Sequence, residues 1–259
     1  MKFFIVTRGK AITILSCVII AVFTLAISVN TATVAVQTMA EKRKIPIYCV
    51  EKGDDEKVVS ISFDAAWGNE QTNELIDILD KYNVKTTFFV VGDWVDKYPE
   101  SVKAIYDAGH EVCNHSDSHP HLTEKSQEQI RQEISKCNDK IEKITGVKPI
   151  LFRPPYGDYD NKVVSTAEEL GMYCIQWDVD SLDWKDPTPD QMKERVLSKV
   201  KNGSIVLFHN GAANTPKTLP MVLEGLLSQG YSIVPISELI HKDTYTTDNN
   251  GMQLKPGIE

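Results

Sequence analysis

The stretch KVVSISFDAAWGNE, residues 57–70, decides the fold of this chain. A β-branched and aromatic run from Lys57 to Phe63 ends on a carboxylate, Asp64, and the small residues Ala65 and Ala66 follow it. That pattern reads as a buried strand delivering a charge at its C-terminal end. Further β-rich runs lie at 85–91, 110–113, 149–152, 172–178, 204–208 and 231–235. Amphipathic helical patterns separate them, near 70–82, 94–108, 126–144, 160–170, 189–200 and 218–229. The clearest is 126–144, where Ile130, Ile134, Cys137, Ile141 and Ile144 recur at spacings of three and four, and Gly146 is the stop. Strand and helix alternating in this way predict an α/β fold on a parallel sheet. Closed up, it is a (β/α) barrel, distorted or incomplete, of about seven strands.

Working outward, residues 11–29 are uncharged and overwhelmingly apolar. At about 1.5 Å per residue a helix of that length nearly matches the roughly 30 Å hydrocarbon core of a bilayer. Lys2, Arg8 and Lys10 precede it, which predicts residues 1–10 in the cytoplasm, a transmembrane signal-anchor at 11–29 and an exported remainder. A cleaved signal peptide, releasing a secreted protein, is the other reading; the apolar stretch is long for one. Residues 30–55 read as a linker with a lead-in strand near 45–50, and the polar residues 243–259 as a flexible tail.

The net charge of −8 argues against a nucleic-acid partner, which would call for a basic face. Cys17 lies in the apolar segment, and Cys49, Cys113, Cys137 and Cys174 are widely spaced with no C-x-x-C pair; buried free thiols are the reading, with a disulfide as the alternative.

The unusual polar residues fall at strand ends: Asp64, then Asn114, His115 and His119, then Arg153 and Tyr156, then Asp180, Asp183 and Trp184, then His209. In a (β/α) barrel the loops at those ends build the active site. His115 and His119, four apart, suit a shared divalent metal such as zinc, cobalt or nickel. Asp64 suits a general base; as a helix cap it is worse placed than Asn69 or Thr72. His209 could protonate a leaving amine, held as the cation by Asp183.

Together these residues resemble a known family. Phe63-Asp64, Asn114-His115-Ser116-x-x-His119-Pro120, Arg153-Pro154-Pro155-Tyr156-Gly157, Asp180-x-x-Asp183-Trp184 and Leu207-x-His209 follow the order of the five motifs of NodB-homology polysaccharide deacetylases, carbohydrate esterase family 4. The resemblance covers residues 56–242. The anchor and the Trp67-Gly68 variant look like sporulation-associated members. By this resemblance Asp64 is the catalytic base, Arg153 orients it, and His115 and His119 bind metal. The Tyr156 N–H stabilises the oxyanion, and His209 is the general acid tuned by Asp183. Trp184, Leu207 and Pro155 contact substrate. The implied reaction is metal-assisted hydrolysis of the acetamide of an N-acetylated sugar in peptidoglycan or a related glycan.

One position departs from the pattern. The family's first motif carries a second aspartate that ligates the metal, and here that residue is Ala65. The two histidines could hold a metal weakly with extra waters, Asp64 or Glu70 could be recruited in its place, or the site could stay empty. The alternative to a working deacetylase is therefore a catalytically weak cell-envelope protein, glycan-binding or morphogenetic, on the same fold.

Overall fold

The strand that opens the domain reaches further toward the site than its apolar run suggests. In the computed structural model, which describes residues 8, 9, 13, 15–25, 43–53 and 55–255, the lead-in strand β1 is Cys49–Val50 and the central strand β2 is Val58–Ala65. Alternation along β2 sorts its side chains. Val59, Ile61, Phe63 and Ala65 pack into the helix-side core, while Ser60, Ser62 and Asp64 are the buried polar residues between them.

The chain continues through α1 (Thr72–Lys81), β3 (Thr87–Val90), α2 (Gly92–Lys97), α3 (Pro99–Asp107), β4 (Glu111–Asn114) and α4 (Gln127–Thr145). Then come β5 (Leu151–Phe152), α5 (Asn161–Glu169), β6 (Tyr173–Cys174), β7 (Val179–Asp180), α6 (Pro189–Lys199) and β8 (Ile205–His209). The last elements are α7 (Thr215–Ser228), β9 (Ser232–Ile233), α8 (Ile236–Leu239), β10 (Thr246–Thr247) and β11 (Met252–Leu254). The main sheet runs β6-β5-β4-β3-β2-β8-β7, every pair parallel, with β9 joining the start of β2. This is the expected barrel, left open between β6 and β7. The lead-in segment lies at the gap: Ile47 exchanges hydrogen bonds with Cys174 and Gln176, and Val50 N–H donates to Gly203.

Local chemistry explains where the helices begin and end. Ser126 and Gln129 form a capping box at the start of α4, and Gly146 closes it in the left-handed conformation (φ 74°). The single helix expected over 94–108 is two, because Pro99 lacks an N–H and disfavours helical geometry at Tyr98. Neither Asn69 nor Thr72 caps α1, whose N-cap Gln71 makes no capping bond.

Two expectations are revised. The run 172–178 is not one strand. Its strand is confined to Tyr173–Cys174, which pairs with β5; a separate strand just beyond it, Val179–Asp180, pairs with β8 at the opposite edge. The tail expected over 243–259 instead forms β10 and β11, and β11 pairs with β1; residues 256–259 lie outside the described residues. In the expected membrane segment, residues 13 and 15–25 are helical, and the remainder of 11–29 lies outside the described residues. Among the described residues no helix is long and apolar enough to cross a membrane. The cysteines are free, with Cys49, Cys113, Cys137 and Cys174 buried.

Candidate active site

Parallel register brings two chemical groups side by side. Asp64 is the Cα partner of His209 across the β2–β8 ladder, so both residues reach the same strand end. Around them lies a cavity of about 540 Å³ lined by Asp64, Trp67, His115, His119, Tyr156, Trp177, Asp180, Trp184, Leu207 and His209.

The Asp64 carboxylate is fully enclosed and paired. Arg153, also buried, donates from Nη1 to Asp64 Oδ1 at 2.7 Å and from Nη2 to the Gln176 carbonyl at 3.1 Å. The Phe89 ring lies 4.1 Å from the guanidinium carbon and helps hold its plane. Burial pushes the Asp64 pKa up, but the charges of Arg153, His115 and His209 outweigh it and hold the carboxyl below its ordinary value of 3.8. Asp64 is therefore a carboxylate at neutral pH.

His209 makes a second pair. Its Nδ1 lies 2.7 Å from Asp183 Oδ1, and its backbone N–H donates to Asp183 Oδ2 at 2.6 Å. Thr215 Oγ1 donates to the same Oδ2 at 2.7 Å, so the carboxylate is fixed before it meets the imidazole. Burial pulls the His209 pKa down; the hydrogen bond and charge of Asp183, with Asp64 and Asp180, more than offset it and raise the pKa above 6.5. The two pairs are shifted in opposite directions, Asp64 toward the carboxylate and His209 toward the imidazolium.

The histidine pair sits across the cavity. His115 Nδ1 is 2.8 Å from the Arg153 carbonyl, which can only accept, so this nitrogen carries the proton and Nε2 the lone pair. That Nε2 lies 3.5 Å from Asp64 Oδ2. The rings of His115 and His119 meet edge-on at 4.9 Å. Burial lowers the pKa of both, His119 to about 4, so both are neutral at pH 7. The loop carrying them is tied down by Glu133, which accepts from the N–H groups of Asp117 and Ser118 and from the Ser118 hydroxyl. Asn114 anchors its start through Ile134, Asn138 and Ser116.

A catalytic zinc site takes three protein ligands and keeps a position for water. Among the described residues no group of three or more His, Cys, Asp or Glu side chains is arranged to hold a metal ion. Ala65 offers only a methyl group, and it is fully buried in the helix-side core. Glu70, the other candidate, lies beside Gly68 and does not line the cavity. The donor set is thus two imidazoles short of a third ligand, and the residues present do not fit the expected metal.

Tyr156 and Trp184 stand exposed on the rim, and Leu207 is buried at the floor. Tyr156 has a left-handed backbone (φ 59°), as have Ser116, His119 and Leu182 in the neighbouring loops. Side chains seldom tolerate that region, and its recurrence around one cavity is the strain expected of a functional site. Of the residues expected from sequence, Arg153 and Asp183 sit behind the cavity, supporting the groups that line it, and Pro155 is buried in the turn below Tyr156. Trp67 and Trp177 also line the cavity. Nothing in the spacing singles out Trp177; a tryptophan in the strand–helix loop directly after Asp64 is a signal for Trp67.

The fold is an open parallel barrel with a carboxylate–guanidinium pair and a histidine–carboxylate pair at its strand ends. Residues 51–175 match the polysaccharide deacetylase family. The chain is 37% identical over 196 residues to the uncharacterized protein YlxY of Bacillus subtilis, covering 75% of this chain and 60% of that protein. To the peptidoglycan-N-acetylglucosamine deacetylase PgdA of Listeria monocytogenes it is 38% identical over 190 residues, covering 73% of this chain and 40% of PgdA. The chain therefore spans between 40% and 60% of the length of these curated relatives. A solved CE4 family pseudoenzyme from Bacillus anthracis superposes with a TM-score of 0.72 at 38% identity, covering 76% of this chain and 69% of that one. A mutant of that pseudoenzyme with restored enzymatic activity superposes equally well, at 40% identity, covering 76% of this chain and 71% of the mutant. The chain belongs to the polysaccharide deacetylase family, carbohydrate esterase family 4.

Proposed function

We propose that this protein hydrolyses the acetamide of N-acetylated sugars in peptidoglycan, releasing acetate and leaving a free amine on the glycan. The observation that carries this reading is the opposite poise of the two buried pairs on one cavity, Asp64 with Arg153 and His209 with Asp183. Asp64 takes a proton from water as its oxygen bonds to the acetamide carbon. The Tyr156 N–H supports the oxygen of the tetrahedral intermediate. His209 gives its proton to the nitrogen as the C–N bond breaks. Arg153 holds the Asp64 pKa down, and Asp183 raises that of His209, favouring the protonated imidazole. Leu207 and Trp184 wall the acetyl group. The apolar segment 11–29 would hold the domain on the outer side of a membrane, near the cell wall.

The test is acetate release from peptidoglycan and from chitin oligomers, with zinc, cobalt and nickel added one at a time. Release that disappears in Asp64→Asn and in His209→Ala supports the reading. A second reading, glycan binding without turnover, is favoured by Ala65 and by the likeness to a pseudoenzyme. Binding of the same glycans with no acetate under any metal selects it.

A further inference from the structure

The chain has two strongly exposed tryptophans around the cavity, and only Trp184 belongs to a motif already assigned. The other, Trp67, is 47% exposed, whereas Trp94 nearby is only 2% exposed. An indole is a large apolar surface, and leaving half of it in water at the mouth of a cavity marks a contact surface rather than core packing. Trp67 is nonetheless not loose. One face stacks on the His209 imidazole, with ring centroids 5.5 Å apart and 25° between planes. Its pyrrole edge lies against Gly211: a Cβ there would come within 2.6 Å of Nε1 and 2.7 Å of Cδ1, so only glycine admits the indole in this position. The next residue, Gly68, is left-handed (φ 59°), and its carbonyl accepts from Trp94 Nε1 at 2.6 Å. The loop is thus pinned from below, and the indole is supported on one face and one edge. Its remaining surface faces the cavity mouth, where Tyr156 and Trp184 are the other exposed aromatics.

Such a surface suits a pyranose ring. A β-linked glycan carries its hydroxyls around the ring equator and presents flat C–H faces, which pack on an aromatic plane without burying a polar group. We propose that Trp67 is a saccharide-stacking platform, a specificity-determining residue that seats a sugar of an N-acetylated glycan strand beside the general acid. The supported geometry means that little conformational freedom is lost when the sugar docks. Because its plane is set by His209, the seated sugar is registered to the group that protonates the leaving nitrogen. This rests on the reading of the cavity as a glycan site.

The test uses the full chain in detergent micelles, with a labelled chitin tetramer as the probe and fluorescence anisotropy read before turnover. A tenfold change in affinity corresponds to about 1.4 kcal/mol. Trp67→Ala is expected to raise Kd by about tenfold, and Trp67→Phe, which keeps a flat face, by less than about threefold. Equal Kd for Trp67→Ala and the unsubstituted chain overturns the platform while leaving the deacetylase reading intact. So does a loss of kcat in Trp67→Ala with Kd unchanged, which would make the indole a support for His209 alone. No binding by the unsubstituted chain, together with no acetate release, overturns the glycan reading and the platform with it. Folding of the variants is bypassed by a measurement on the unsubstituted chain. The Trp67 indole N–H resonance, identified by its loss in Trp67→Phe, is expected to move as tetramer is added; an unmoved signal overturns the proposal.

Discussion

On the β2–β8 side of the cavity every titratable group has its partner: Asp64 has Arg153, and His209 has Asp183. On the β4 side His115 and His119 face the same space, and among the described residues no third His, Cys, Asp or Glu joins them as a metal ligand. The difference follows from how each half is assembled. The two ion pairs are made by buried charges that meet, so each member holds the other in place. Removing one strands a charge in the core, at about 3–5 kcal/mol. A metal ligand carries no such mutual penalty before the metal arrives. An alanine at 65 packs quietly with Phe63 and Val90 in the helix-side core. One half of this site is self-supporting, and the other can lose a member without disturbing the fold.

The sharpest way to break the comparison is to remove Asp64 or His209, the proposed base and acid. Asp64→Asn and His209→Ala are each expected to lower acetate release by about 10²–10⁴-fold, the range for general acid–base groups. If either variant retains full release, that side is not the catalytic half. Next in size is Arg153→Met, which leaves Asp64 buried without its cation. Chemical denaturation at pH 7 should show a loss of about 3–5 kcal/mol, and no loss would mean that the pair does not carry the enclosed charge.

The third prediction addresses the incomplete half. Ala65→Asp places a carboxylate in a fully buried position, so without metal the melting temperature should fall. Added zinc should restore it by binding only the folded state. Zinc retained through dialysis should rise at least about tenfold, the scale on which single groups around a metal affect affinity. A melting temperature indifferent to zinc would show that position 65 cannot reach the histidines.

The smallest effect is on pH dependence. The folded pKa of His209 is raised above 6.5, so its pairing with Asp183 stabilises fully below that pH and is lost as pH rises through the folded value. The acid form persists to higher pH for the same reason, and the alkaline limb of kcat/KM is expected above 6.5. Asp183→Asn removes the charge but leaves the burial, so the limb should move to lower pH. A limb that stays in place would assign it to another group.

Much of this was legible in residues 57–70 and their echoes along the chain. Hydrophobic periodicity is a local property, and it located β2, β3, β4, α4 and the Gly146 stop to within a few residues. Polar residues at strand ends marked Asp64, His115, Arg153 and His209, because a buried strand has little other use for them. The departure at Ala65 was also visible, although not that its methyl packs in the helix-side core. What needed tertiary structure were contacts between segments distant in the chain. Val179–Asp180 crosses to the far edge of the sheet, a move that no local pattern encodes. The residues around Thr246 and Met252 look like a polar tail, yet they form strands, and β11 pairs with β1 just over two hundred positions earlier. Trp67 stands over His209 because Gly211 leaves room for it. By itself the sequence determined the strand–helix frame and the chemistry delivered to its rim, since periodicity and residue type are local. Which charges pair, which ring lies on which, and which ligand is missing from its place were decided by register and packing across the chain.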